Sequence, residues 1–138
     1  MKIHLEVLGI PKAQARHKHF VRGKFSGTYD PSGEKKETFA SILQKNAPEM
    51  PISTPIALEL TFYMPRPKGH YGSGTKSACL KDSAPEWHTS KPDLDNLCKF
   101  VQDSLNGVFY RDDSLIYSLI AQKVYSERPK TEIMIKTL

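Results

Sequence analysis

The chain has 138 residues, 38% apolar and 25% charged, with 20 Lys+Arg against 15 Asp+Glu and a formal net charge of +5. That length and composition predict one compact domain spanning 1–138 and exclude a disordered tail. Its two cysteines, Cys79 and Cys98, stand in no CxxC or Cys/His spacing, which excludes a disulfide scaffold and a zinc module, and no apolar run nears the ~18–20 residues of a membrane span.

Lys2 to Gly9 alternates Ile3, Leu5 and Val7 against His4 and Glu6, the pattern of a strand. His4 and Glu6 also interrupt any signal-peptide core, so a cytoplasmic location is expected. From Ile10 to Tyr29 there is no acidic residue, while Lys12, Arg16, Lys18, Arg22 and Lys24 are interleaved with Phe20, Phe25 and Tyr29. Gly23-Lys24, Ser26-Gly27 and Pro31-Ser32-Gly33 are turn signals. Asp30-Pro31 predicts a helix start, Phe39, Ile42 and Leu43 carry helical spacing to about Asn46, and Pro48, Pro51 and Pro55 close it. Ile56 to Met64 alternates again and predicts a strand.

Pro65 to Pro92 has no periodicity. It holds Arg66, Lys68, Lys76, Lys81 and Lys91 with His70, Tyr71, Trp87 and His88, opposed only by Asp82 and Glu86. A loop of this length inside a small domain is usually functional or disordered. Two basic stretches with intermixed aromatic rings suit phosphate contacts and base stacking, so nucleic acid is the expected partner class. Lys12, Arg16, Lys18, Lys76, Lys81 and Lys91 are the candidate residues for binding nucleic-acid phosphates.

Asp93 to Asn106 is the clearest helix. Leu97, Val101 and Leu105 recur every four residues, Asp95, Lys99, Gln102 and Asp103 fall on the opposite side, and Asn106-Gly107 is a C-cap signal. Ser114 to Tyr125 and Thr131 to Thr137 predict two more strands around a Glu127–Lys130 turn. The order β-α-β-loop-α-β-β predicts an α+β fold, a single small domain with a mixed β-sheet and two main helices.

The densest chemistry lies in Lys91-Pro92-Asp93-Leu94-Asp95-Asn96-Leu97-Cys98-Lys99, followed by Asp112-Asp113. Asp93 and Asp95 can converge around a helix entry, and Lys99 follows Asp95 by one turn. If Val108-Phe109-Tyr110 folds back along the helix, Asp113 and Asp112 approach them. Clustered carboxylates unmatched by Arg are costly to hold together, and a hard divalent cation with phosphate ligands removes that cost. Such sites hydrolyse phosphodiesters, with a lysine to neutralise the developing charge. Taken singly, Asp93 reads as a helix cap, Asp95 with Lys99 as a solvated pair, Asp112-Asp113 as a turn, and Trp87, Phe109 and Tyr110 as packing residues. No GxxxxGK[ST], GxGxxG or GxSxG occurs, so no nucleotide cofactor is expected.

Together, Lys91-Pro92-Asp93-Leu94-Asp95-Asn96-Leu97-x-Lys99, Asp103-x-Leu105-Asn106-Gly107, Asp112-Asp113-x-x-Ile116 and Lys123-x-Tyr125 closely resemble the RusA family of Holliday-junction resolvases, many of them encoded by phages and prophages. The resemblance implies catalytic Asp93, Asp95, Asp113 and Lys99, with Asp93, Asp95 and Asp113 as metal ligands and Asp112 beside them. It also implies Mg2+ (or Mn2+), a homodimer, four-way junction DNA as substrate, paired symmetric nicks in recombination and repair, and the cytoplasm of a bacterial host. The stretch from Gly69 to Glu86 is not part of the shared pattern. The rival reading is a non-catalytic branched-DNA-binding module.

Overall fold

Ile56, Leu58, Leu60, Phe62 and Met64 are all buried along one face of a ten-residue strand, while the residues between them stay half-exposed. This strand is the centre of the domain. A computed structural model describes residues 1–15, 18–23, 25–29 and 32–138, with residues 18–20, 22, 25, 26, 28 and 29 described as backbone only. The elements are β1 (Lys2–Leu8), β2 (Lys18–Arg22), β3 (Phe25–Tyr29), α1 (Gly33–Leu43), β4 (Ile56–Pro65), α2 (Leu94–Leu105), β5 (Ile116–Ser126) and β6 (Lys130–Thr137).

The main sheet has the order β1-β6-β4-β5. β1 and β4 flank β6 antiparallel, and β5 joins β4 parallel, so the sheet is mixed. The parallel pair needs a crossover, which α2 supplies. Leu5, Val7, Ile133, Ile135 and the apolar face of β4 meet Phe39 and Leu43 of α1 and Leu97, Phe100, Val101 and Leu105 of α2 in one core. Phe39 and Phe100 touch edge to face at 5.6 Å between centroids, locking the two helices together. The opposite face is polar and laced by cross-strand pairs such as Lys136–Glu59 at 2.8 Å.

The α+β expectation holds, and most elements lie within two residues of their predicted bounds. Two regions differ. Residues 18–22 and 25–29, where the sequence offers turn signals at Gly23-Lys24 and Ser26-Gly27 and no strand, pair as β2 and β3 in an antiparallel hairpin with Lys18 opposite Tyr29. Such a hairpin lacks the apolar alternation that announces a strand. Residues 65–92, read as aperiodic loop, are folded back on themselves and onto the end of β5. Tyr71 bridges Leu80, Trp87 bridges Val124, and Gly72 turns so tightly that a Cβ there would lie 2.8 Å from the Lys76 carbonyl. The expected start of α1 at Asp30-Pro31 lies outside the described residues.

Candidate active site

The entry to α2 carries the Asp-x-Asp element. Asp93 is its N-cap residue, with extended backbone (φ −70°, ψ 145°), and its carboxylate makes no capping hydrogen bond. Asp95 follows in the first turn, where its Oδ1 accepts from the Asn96 amide at 2.9 Å. Both are exposed and stand at the positive end of the helix dipole. Burial, and then the Asp95 carboxylate, push the neighbouring Cys98 thiol up. Two contacts hold this entry in place. The Gln14 amide donates to the Asn96 carbonyl at 2.9 Å, docking the segment that carries Lys12 against the first turn. The Lys123 ammonium, on β5, donates to the Ser90 and Pro92 carbonyls at 2.8 Å each, gripping the backbone just before Asp93.

Asp112 and Asp113 stand at the other end of α2. Gly107, with φ +81°, turns the chain after the helix. Tyr110 then folds back, fully buried, and its hydroxyl donates to the Gln102 carbonyl at 2.7 Å. Burial pushes this phenol up, and the nearby charges of Asp113, Asp103 and Asp112 push it further. Asp112 caps a short 3-10 turn, and its hydrogen bonds from Ser114 hold its carboxyl below the usual range. Lys99 leans toward this end. Its ammonium is 3.6 Å from Asp103, which also pairs with Lys36 at 3.1 Å, and no ion pair joins Lys99 to Asp95 among the described residues.

Twelve residues of α2, about 18 Å of helix, therefore lie between Asp93 and the turn that leads to Asp113. Along β5, Lys123 is roughly 23 Å from Ile116 at ~3.3 Å per residue, so the fold back along the helix stops at its C-terminal half. Among the described residues, the one group of three donors lying within 4.8 Å of each other is His4, Glu6 and Glu132, on the polar face of β1 and β6. Lys130 already sits there, 3.1 Å from Glu6 and 3.9 Å from Glu132. Within a single chain, Asp93, Asp95 and Asp113 form no such group.

Of the candidate DNA-binding residues, Lys12, Lys76, Lys81 and Lys91 are exposed and make no ion pair among the described residues. Lys18 lies on β2, described as backbone, and Arg16 lies outside the described residues. Phe109 and Tyr110 pack in the core as expected, but Trp87 is 53% exposed and is not a packing residue. The grip of Lys123 was not legible in the residues themselves, because it depends on the crossover bringing 90–92 to β5. The Lys123-x-Tyr125 pattern entered the reading only as part of the family resemblance.

The helix entry is thus acidic and exposed, with the exposed lysines Lys12 and Lys91 on the segments beside it. The family profile described as endodeoxyribonuclease RusA matches residues 9–136. The chain belongs to the RusA family of endodeoxyribonucleases. Over 136 residues, 97% of this chain and 95% of the relative, it is 35% identical to the uncharacterized protein YqaN of Bacillus subtilis (strain 168). Over 118 residues, 83% of this chain and 80% of the relative, it is 35% identical to the crossover junction endodeoxyribonuclease rusA of Lactococcus phage r1t. RusA membership thus covers both ends of α2, the N-terminal basic segment and the 65–92 stretch.

Proposed function

We propose that this RusA-family protein resolves four-way DNA junctions by paired, symmetric nicks, as a divalent-cation-dependent homodimer acting in recombination and repair in a bacterial cytoplasm. The observation that carries the reading is Asp93. Its backbone caps α2, yet its carboxylate makes neither a capping bond nor an ion pair among the described residues. Its neighbour Asp95 is equally exposed. The phage relative named for crossover junctions supports the choice of substrate.

The donor set suits a hard cation: carboxylate oxygens, unmatched by arginine, at a helix entry. Asp93, Asp95 and Asp113 would hold Mg2+, or Mn2+ in its place, with Asp112 beside them. When bound, such an ion neutralises phosphate charge and acidifies water. Lys99, more than half exposed, is free to leave Asp103 and meet a non-bridging phosphate oxygen as charge develops there. Lys12, Arg16, Lys18, Lys76, Lys81 and Lys91 would hold flanking phosphates, a contribution that weakens with salt and ignores sequence.

The separation of Asp113 from Asp93 and Asp95 supports the dimer. The outer edge of β5 has no strand partner from 116 to 122 among the described residues, and it exposes Tyr117, Leu119 and Ile120. A bare apolar edge invites a second strand. Two copies meeting antiparallel there, centred on Ser118, set Asp113 of one level with Lys123, and so with Pro92 and Asp93, of the other. Each site would then draw Asp93 and Asp95 from one copy and Asp113 from its partner, and a two-fold axis would give two opposed nicks.

The test is a labelled four-way junction incubated with protein and Mg2+. Wild type is expected to nick two opposed strands, and Asp95→Asn to bind the junction without nicking. Binding without nicking by wild type, in Mg2+ and in Mn2+, would instead identify a non-catalytic module.

A further inference from the structure

The 65–92 stretch is built to hold one aromatic ring in the open. Gly72 N donates to the Cys79 carbonyl and Lys81 N to the His70 carbonyl, each at 2.9 Å, closing its outer part. Arg66 donates to the Pro85 carbonyl at 2.7 Å, and its guanidinium lies 5.2 Å from the centroid of the Tyr125 ring. The rings of His70 and His88 flank that same ring at 4.7 and 4.9 Å. Residues 86–88 are zipped onto the end of β5: Tyr125 N donates to the Glu86 carbonyl at 2.9 Å, and His88 N to the Lys123 carbonyl at 3.2 Å. In extended backbone, neighbouring side chains point to opposite sides. His88 turns in and is buried, so Trp87 turns out.

We propose that the outward face of Trp87 is a stacking platform for an unpaired base of branched DNA, close to the phosphodiester cut at α2. This deepens the nuclease reading above and rests on it. Trp87 is 53% exposed on backbone fixed to β5, so about half of its surface is open to a ligand. It belongs to a segment with five basic residues, Arg66, Lys68, Lys76, Lys81 and Lys91, against Asp82 and Glu86, and the four lysines are exposed without ion pairs among the described residues. That charge favours a polyanion over a protein surface as the occupant. Asp93 lies six residues after Trp87, at most ~22 Å of chain. Lys123 holds the returning strand by two of its carbonyls, so the ring lies within a few nucleotides of the acidic entry. Stacking tolerates any base sequence but needs a base out of the duplex. Trp87 therefore distinguishes a branch point from a continuous helix.

Trp87 is the chain's one tryptophan, so its own emission reports the contact. A four-way junction is titrated into wild type in Ca2+, with binding followed independently by anisotropy of a labelled strand, and a linear duplex of the same sequence serves as the comparison. Junction binding is expected to quench Trp87 emission, and duplex binding to leave it largely unchanged. Trp87→Ala is expected to weaken junction binding about tenfold or more while duplex binding stays within about twofold, and Trp87→Phe to keep most of the affinity. Saturable junction binding with unchanged emission would overturn the proposal, as would equal losses on junction and duplex. A Trp87→Ala protein that changes its sedimentation instead of its DNA binding would overturn it in favour of a protein contact. The nuclease reading is judged separately: wild type that nicks junctions, with Trp87→Ala equally active and equally tight, removes the platform and keeps the nuclease.

Discussion

A carboxylate at a helix N-cap ordinarily accepts a hydrogen bond from the second or third amide of the helix, and Asp93 does not. Forgoing that bond gives up roughly 1 kcal/mol of helix stability. The residue is placed by its backbone and left chemically available, which is what a metal ligand requires. His88 shows the opposite treatment. It is buried against Tyr125, and its Nδ1 has no hydrogen-bond partner among the described residues. Burial, and then the charge of Lys123, hold its pKa below the ordinary value of 6.5. Between the lowered folded value and 6.5, the unfolded chain binds the proton more readily than the folded one. The stability from a neutral His88 is thus complete above pH 6.5 and is lost as the pH falls below it. Denaturant melts of wild type and His88→Phe from pH 7.5 to 5.5 check this: the variant is expected to have the flatter acid limb, and parallel curves would contradict it.

At the scale of elements, α2 was legible because two signals agree. Leu97, Val101 and Leu105 lie on its buried face, and Asp93 and Asn106 mark both ends. β4 was legible for the same reason in its own period. The β2–β3 hairpin was not, since no apolar alternation separates its strands from its turns. The order within 65–92 was hidden too, because it is imposed by Arg66, Lys123 and Tyr125, contacts across the fold that no local pattern encodes. Lys123 carries most of this burden. Replacing it by Met keeps the stem and removes two charge-assisted bonds, at a cost of about 1–3 kcal/mol in stability. It also frees the backbone before Asp93. Lys123→Met is therefore expected to slow junction cleavage more than it weakens junction binding, with higher Mg2+ recovering part of the rate. A cleavage rate per bound junction equal to wild type would show that the grip does not position Asp93.

At the scale of the molecule, the candidate carboxylates stand out in the chain, and their arrangement in space does not. The spacing of Asp93, Asp95, Lys99, Asp112 and Asp113 suggests one compact cluster, but a helix of about 18 Å intervenes, and the turn through Tyr110 returns only to Gln102. Family membership makes the chain an endodeoxyribonuclease, and the bare apolar edge of β5 offers a route by which two copies complete each other's sites. Subunit mixing tests this directly. Asp95→Asn and Asp113→Asn homodimers are each expected to be inactive on a four-way junction in Mg2+. Co-expressed, they form heterodimers in which one site has lost both carboxylates and the other is intact, so the mixture should regain single-strand nicking. A purified heterodimer as inactive as its parents would contradict the shared site.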